Sequence, residues 1–378
     1  MFFGTAIMAT FYKEKGLSPP DIFWLQTALN LSLVMADIPF GYLADRFGLR
    51  RIIFAGTGLQ IAQSSYFMTC SSFWEFLPAL VGSGLYAAAL SNVHSSLMAT
   101  SLAYIKDAEE RKARYTSYEM QAFLAHSAGV IVGIAIGGWL IDAYGHAMPY
   151  QMQPLVYITS FVIALGFKKP RYRAERHPDL GTIRKITHQM LKEDRGIRSA
   201  ILLFSAVASC VFAGFWMAQP RMELGGIHAN DFVFVYLIRE GALFVLMLVL
   251  KIQLKKDLVL SDRLWPWSIA GVTLMTVLVG LTSDPITIVI LMVGNACTSA
   301  VLTVKLRSFM NERLPQDYSS RTAELSVMTS VTSLCYAVVG PISGYIAAAS
   351  VGAAFVVVAV VSGGFGYILL RAYRKYAQ

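Results

Sequence analysis

The chain has 378 residues, of which 56% are hydrophobic and only 15% charged, with a formal net charge of +9. A soluble globular chain carries about a quarter charged residues, so this composition excludes an ordinary soluble domain and points to an all-α membrane protein. The four cysteines, Cys70, Cys210, Cys297 and Cys335, are far apart in or beside apolar runs. They form neither a disulfide framework nor a metal-ligand spacing.

Met1–Tyr12 is apolar but only about half the ~20 residues that cross a bilayer, and a turn at Lys13–Pro20 follows. The first span is therefore expected to be short. The second is predicted over Ile22–Ala44, the third over Ile52–Thr69 and the fourth over Phe73–Tyr104. A charged stretch, Lys106–Arg114, precedes the fifth at Ser117–Ala143, and the sixth is placed at Tyr150–Phe167. Lys168–Arg198 is a polar linker with ten Lys or Arg. Beyond it, spans are predicted at Ser199–Ala218, Phe232–Ile252, Trp265–Leu281, Ile286–Val304, Thr322–Ala348 and Val351–Leu370. Twelve spans result, six on each side of the linker: residues 1–167 and 199–378.

The basic residues are distributed unevenly. Alternate loops, starting with Asp45–Arg51, together with the C-terminal tail hold 28 of the 32 Lys and Arg. Lys13, Lys15 and Arg221 lie on the other side, and Arg239 falls inside the eighth span. Cytoplasmic loops are the basic ones, so the linker and the C-terminus are expected in the cytoplasm. A basic face against anionic lipid accounts for the net charge without nucleic acid.

Between the second and third spans lies Gly41-x-Leu43-Ala44-Asp45-Arg46-x-Gly48-x-Arg50-Arg51. This pattern resembles the loop between helices 2 and 3 of major facilitator superfamily (MFS) transporters, with Leu49 where a basic residue is common. Asp37-Ile-Pro-Phe-Gly41 is similar to the acidic-Ile-Pro-Thr-Gly stretch of a bacterial, drug-efflux-like branch. Gly129, Gly133, Gly137 and Gly138 on span 5 resemble the antiporter glycine motif, with Ile134 in place of its proline. They also read as a small-residue packing face. Gln219-Pro220, Asn311-x3-Pro315…Arg321 and Gly340-Pro-x2-Gly344 are further likenesses.

The resemblance implies the MFS fold: two pseudo-symmetric six-helix halves that rock about a midplane site. It also implies a gate formed by Gly41, Asp45, Arg46, Gly48, Arg50 and Arg51, with Asp45 facing the start of span 11 near Arg321 and Arg46 reaching Asp107. Two departures bear on coupling. Pro78 stands where many proton antiporters carry arginine, and Ser95 and Thr100 stand where this branch often carries acids.

Ionisable groups at lipid depth are costly and mark function. Here they are Asp37, Glu119, His126, Arg239 and Glu240 as coupling candidates, with His94 on span 4. Spans 1, 4, 7 and 10, which line the cavity in the family, offer Thr5, Tyr12, Tyr86, Asn92, His94, Trp216, Gln219, Asn295 and Thr298. These are aromatic or neutral polar groups, so a lipophilic or neutral amphiphilic substrate is expected. No enzyme signature such as HExxH, a Walker loop or G-x-S-x-G is present.

The sequence thus reads as a monomeric, cofactor-free, multi-pass carrier of the bacterial inner membrane. It is expected to export a drug-like small molecule by alternating access, driven by an ion gradient such as protons. The alternatives are a transport-inactive sensor or scaffold, and a sugar or metabolite carrier without proton coupling. A reporter active only in the periplasm, fused after Gln378, is expected to be silent; strong activity there would overturn the assigned orientation.

Overall fold

The computed structural model describes residues 3–102, 104–105, 107–166, 181, 185, 187–254, 264–313 and 318–376. The described segments are helical: α1 Met8–Glu14, α2 Pro19–Phe47, α3 Leu49–Phe67, α4 Phe73–Leu102, α5 Ala108–Tyr144 and α6 Met148–Leu165, then α7 Arg195–Leu224, α8 Phe232–Leu254, α9 Leu264–Leu281, α10 Pro285–Arg313, α11 Tyr318–Ala349 and α12 Val351–Tyr376. Eight of the described helices are long and apolar enough to cross a membrane. In lipid a helix satisfies its own backbone groups, which is why the spans are helical throughout. Most of the 168–198 linker lies outside the described residues.

Several helices run past the apolar stretches that announced them. Ala108–Tyr144 takes in most of the charged segment before span 5, because Ala-Glu-Glu-Arg-Lys-Ala is built of strong helix formers. The stretch expected as a loop at Asp45–Arg51 is almost wholly helical. Only Gly48, at φ +90°, separates α2 from α3. That backbone conformation suits glycine and little else.

Local chemistry fixes the other ends. Ser18 and Asp21 form a capping box at the start of α2, with Pro19 at the first helical position. Asp284 accepts from Thr287 N at 2.7 Å to start α10. Glu75 accepts from Ser71 N at 2.7 Å and Ser72 N at 3.2 Å, tying α4 to the preceding turn.

In the first half, α4 packs on α2 and α3, and α3 on α6; in the second, α12 packs on α7 and α9, and α11 on α7. The halves meet along α2 with α11, α5 with α8, and α1 with α7. Gly137 and Gly138 serve the close approach. A Cβ at Gly138 would meet Val233 Cγ1 of α8, and one at Gly137 would overlap Phe3 O. Gly129 has open space around it, so the near end of the glycine stretch is not a packing face. Gly41 likewise has nothing within 4 Å of an added Cβ; of the two turn glycines, Gly48 alone is demanded by backbone geometry.

A close helix crossing lies at Gly84 of α4, where a Cβ would overlap Ser32 Oγ and Leu29 O of α2. Backbone cannot step aside as a side chain can, and overpacking of this kind costs about 1–3 kcal/mol. Gly84→Ala is expected to lower the melting temperature of the purified protein by several degrees. Gly129→Ala should leave it unchanged. Equal melting of both variants and the parent would contradict the crossing.

Candidate functional site

Two places gather chemistry between the halves: the middle of α8, and the end of the bundle that carries the basic-poor turns.

On α8, Arg239 donates through Nη1 to the carboxylate of its neighbour Glu240. The two side chains are 18% and 13% exposed, so they are shielded without being sealed. The Arg239 guanidinium lies over the Tyr236 ring, 6.0 Å from its centroid, and next to Cys297 of α10. Residues adjacent on a helix point in different directions. Their pairing therefore bends both side chains toward one spot on the wall of α7, α8 and α10. Mutual neutralisation is what makes two charges tolerable at this depth.

At the basic-poor end, α1 and α7 are stitched together by Gln219. Its Oε1 accepts from Ala9 N at 2.7 Å and Thr10 N at 3.1 Å, and its Nε2 donates to Thr5 O at 3.2 Å. The first turn of any helix has N–H groups without intrahelical partners. Residue Ile7 at the N-cap of α1 supplies no side-chain bond. Gln219, 1% exposed, thus caps α1 from the opposite half. One turn further along α7, Glu223 accepts from Lys13 Nζ at 2.6 Å and from Thr10 Oγ1 at 3.3 Å. His146, in the α5–α6 turn, meets Glu14 at 2.6 Å and Asn230 of the other half at 3.4 Å. Trp24 Nε1 donates to the Tyr345 hydroxyl at 3.4 Å between α2 and α11, and Thr27 Oγ1 donates to Ala337 O at 3.2 Å.

Several candidates from the sequence take other positions. Tyr12 is fully buried among Phe11, Phe67, Phe76 and Trp216, so it belongs to the aromatic core rather than to a cavity wall. Asn295 donates to Val272 O at 3.3 Å and Thr276 Oγ1 at 2.6 Å, which directs its amide at α9, inside the second half. Thr298 Oγ1 donates back to Gly294 O at 2.7 Å. Trp216 is buried, Tyr86 half-buried and His126 exposed.

Around the α2–α3 turn, Arg50 donates to Leu165 O at 3.0 Å, closing the end of α6, and lies over Phe54. Arg46 stacks on Phe47 at 5.6 Å, Arg51 and Asp107 are exposed, and Asp37 is 2% exposed. The side chains of Asp45, Asn92, His94, Glu119 and Arg321 lie outside the described set.

What the sequence reading missed is an amide-rich layer: Gln26, Asn30, Gln60, Gln63 and Gln153, each buried. The signal was present, since amides recur at helical spacing in otherwise apolar helices, but attention to charged groups alone passes over it. An open depression of about 690 Å³ lined by Arg221, Gly280 and Gly352 lies at the basic-poor rim. Its arginine donates to Val279 O at 2.9 Å and so closes the end of α9.

Among the described residues, the helices α1–α12 in two groups of six, tied by α2–α11 and α5–α8, form one recognisable frame, and a sequence family matches it. The family described as Major Facilitator Superfamily matches residues 1–319. The chain belongs to the Major Facilitator Superfamily. An uncharacterized MFS-type transporter of Methanocaldococcus jannaschii is 27% identical over 158 residues, 42% of this chain and 39% of that relative. The match therefore spans about two fifths of the relative's length. Among solved structures, a point mutant of the nucleoside transporter NupG aligns with 100% of this chain and 95% of its own, at a TM-score of 0.75 and 10% identity. NupG itself aligns at 0.70 with 11% identity. At such identities the likeness is one of fold. This MFS chain is a multi-pass membrane protein, and its family is one of transporters rather than enzymes.

The loss of a helix cap costs about 0.5–2 kcal/mol, enough to shift two nearly balanced conformations several-fold. Gln219→Leu is expected to part the halves at the basic-poor end. Spin labels on cysteines replacing Tyr144 and His228, one on each half, should show a several-fold larger long-distance population in that variant. Identical distance distributions would exclude the cross-half cap.

Proposed function

We propose that this chain is a secondary-active carrier that moves a small uncharged molecule by alternating access between its two halves. The observation that carries the reading is the polar seam at one end of the bundle. Gln219, Glu223 and His146 hold that end with a handful of hydrogen bonds and exposed ion pairs. Exposed pairs contribute about 0.2–1 kcal/mol each, so such a seam closes the end and can also release it. The conformation described is one with the basic-poor end shut. The charge asymmetry of the loops supports an inner-membrane setting with that end outward and the C-terminus inside.

Arg239 and Glu240 are the proposed coupling pair. A proton arriving at Glu240 would release Arg239 to the neighbouring wall of α10, changing the charge seen by a substrate. Asp37, buried on α2, is the further carboxylate at depth. Two substrate readings share the uncharged requirement. The aromatic residues between the halves, Phe23 against Phe212 and Phe212 stacked on Tyr336 at 4.4 Å, favour efflux of a lipophilic compound. The buried amides and the fold likeness to a nucleoside transporter favour a neutral metabolite.

The test is reconstitution. Proteoliposomes preloaded with a panel of unlabelled solutes should show counterflow of at least one labelled partner; a panel without any exchange would leave the carrier reading unsupported and favour a sensor or scaffold. With the exchanging solute, Glu240→Gln is expected to cut pH-gradient-driven accumulation more than tenfold while counterflow persists. Unchanged accumulation would remove Glu240 from coupling and leave it a structural partner of Arg239.

A further inference from the structure

The α5–α6 turn carries a histidine that reaches across the boundary between the halves. Helix α5 ends before Gly145, whose φ of +88° turns the chain, and Met148 N returns to Gly145 O at 3.2 Å. This tight turn presents His146 between the end of α1 and the short turn Ala229–Asp231 that precedes α8. Its Nδ1 meets Glu14 Oε1 at 2.6 Å, and its Nε2 meets Asn230 Oδ1 at 3.4 Å. Glu14 belongs to the same half as His146, whereas Asn230 belongs to the other. The His146 side chain is 23% exposed, so it is in contact with the medium at the basic-poor end.

Both neighbouring atoms are acceptors. A carboxylate offers no proton, so the Glu14 contact places a hydrogen on Nδ1. Neutral imidazole carries one N–H, which leaves Nε2 with a lone pair facing the Asn230 carbonyl oxygen. Two lone pairs set face to face repel. Imidazolium has hydrogens on both nitrogens and donates to both acceptors at once, with the added strength of a charged donor. Imidazole is the side chain whose charge changes between about pH 5 and 8. The other charged or titratable groups on the elements packed here are Lys13 and Lys15 at the end of α1, Asp142 on α5, Arg221 and Glu223 on α7, and His228 and Asp231 on either side of Asn230. Lys13 is held by Glu223 at 2.6 Å, Lys15 lies over the Phe11 ring, and Arg221 donates to Val279 O. Among the described residues, Glu14 is the charged group that pairs with His146.

We infer that His146 is a proton-operated latch on the basic-poor end: when protonated it ties the α5–α6 turn to Asn230 and holds that end shut, and when neutral it lets go. This deepens the carrier reading, resting on its claim that this end opens, and places the opening under the control of the pH on that side. The sign follows from the contacts. Closure gives the imidazolium a second acceptor, so the closed state binds the proton more tightly than the open one. By linkage, acid then favours the closed state and a rise in pH releases it. The Gln219 bonds close the same end without a proton, so the latch adjusts a gate that other contacts also hold.

Spin labels on cysteines replacing Thr69 and Ser283, exposed positions at this end of the two halves, test the latch in a background whose four native cysteines are replaced by alanine. In the parent, the ratio of short- to long-distance populations should rise several-fold between about pH 8 and pH 5.5. His146→Gln, which stays neutral, and Asn230→Leu, which keeps the Glu14 contact, should each flatten that rise, and His228→Gln should keep it. A parent ratio that does not change with pH, the result expected if the Asn230 amide were turned end for end to donate to neutral Nε2, would overturn the latch. So would a rise that survives in His146→Gln or in Asn230→Leu, or one that is lost in His228→Gln. If pH has no effect while Gln219→Leu still opens the end, the latch falls and the gate stands. An end that stays shut at every pH and in every variant removes both. Closing that follows pH as expected, in a protein that shows no counterflow of any solute, keeps the latch and removes the carrier reading.

Discussion

One amide side chain joins the two halves at the point where the fold has least to join them with. The seven-residue helix α1 begins with backbone N–H groups that nothing on its own side accepts, and Gln219 of α7 accepts two of them while donating to Thr5 O. A buried hydrogen bond to an orphan donor is worth more as a requirement than as a gain, because leaving the donor unmade is what costs. One turn further along α7, Glu223 adds Lys13 and Thr10 to the same cross-half contact.

Around that seam the rest of the structure is arranged by close approach. Membrane helices lack a hydrophobic drive between them, since lipid is as apolar as leucine, and they associate where small residues bring backbones together. Gly84 does this for α2 and α4, Gly138 for α5 and α8, Gly344 for α2 and α11, and Gly280 with Gly352 for α9 and α12. Two of these crossings lie within a half and make it a rigid unit. Those of α5 with α8 and α2 with α11 lie between halves, where they bring backbones together across the boundary.

Both halves treat interior hydroxyls alike, by bonding them back to helix carbonyls. Thr57 donates to Ile53 O and Ser83 to Ala79 O in the first half, and Thr276 to Val272 O and Ser343 to Val339 O in the second. Asn295 bonds Thr276 and Val272 O, and the charged pair Arg239–Glu240 neutralises itself.

The sequence alone determined that this chain lives in a membrane, that it has twelve helical segments in two groups of six, which loops are basic, and that the α2–α3 turn follows the superfamily pattern. Those properties follow from composition, apolar run length and a local motif, all of which are written residue by residue. It also marked Arg239 and Glu240, because a charge in an apolar run is visible without a partner. It offered Asn295 and Tyr12 for the cavity wall, where the structure directs one to α9 and the other into the aromatic core, and it passed over Gln60, Gln63 and Gln153. A span number does not say which way a side chain points, and an amide carries no charge to draw the eye. Which face of each helix turns inward depends on the neighbours it packs against. So the cross-half cap at Gln219 and the bond of Glu223 to Lys13 and Thr10 were decided only by the tertiary structure, where residues distant in the chain compete for the same few donors and acceptors.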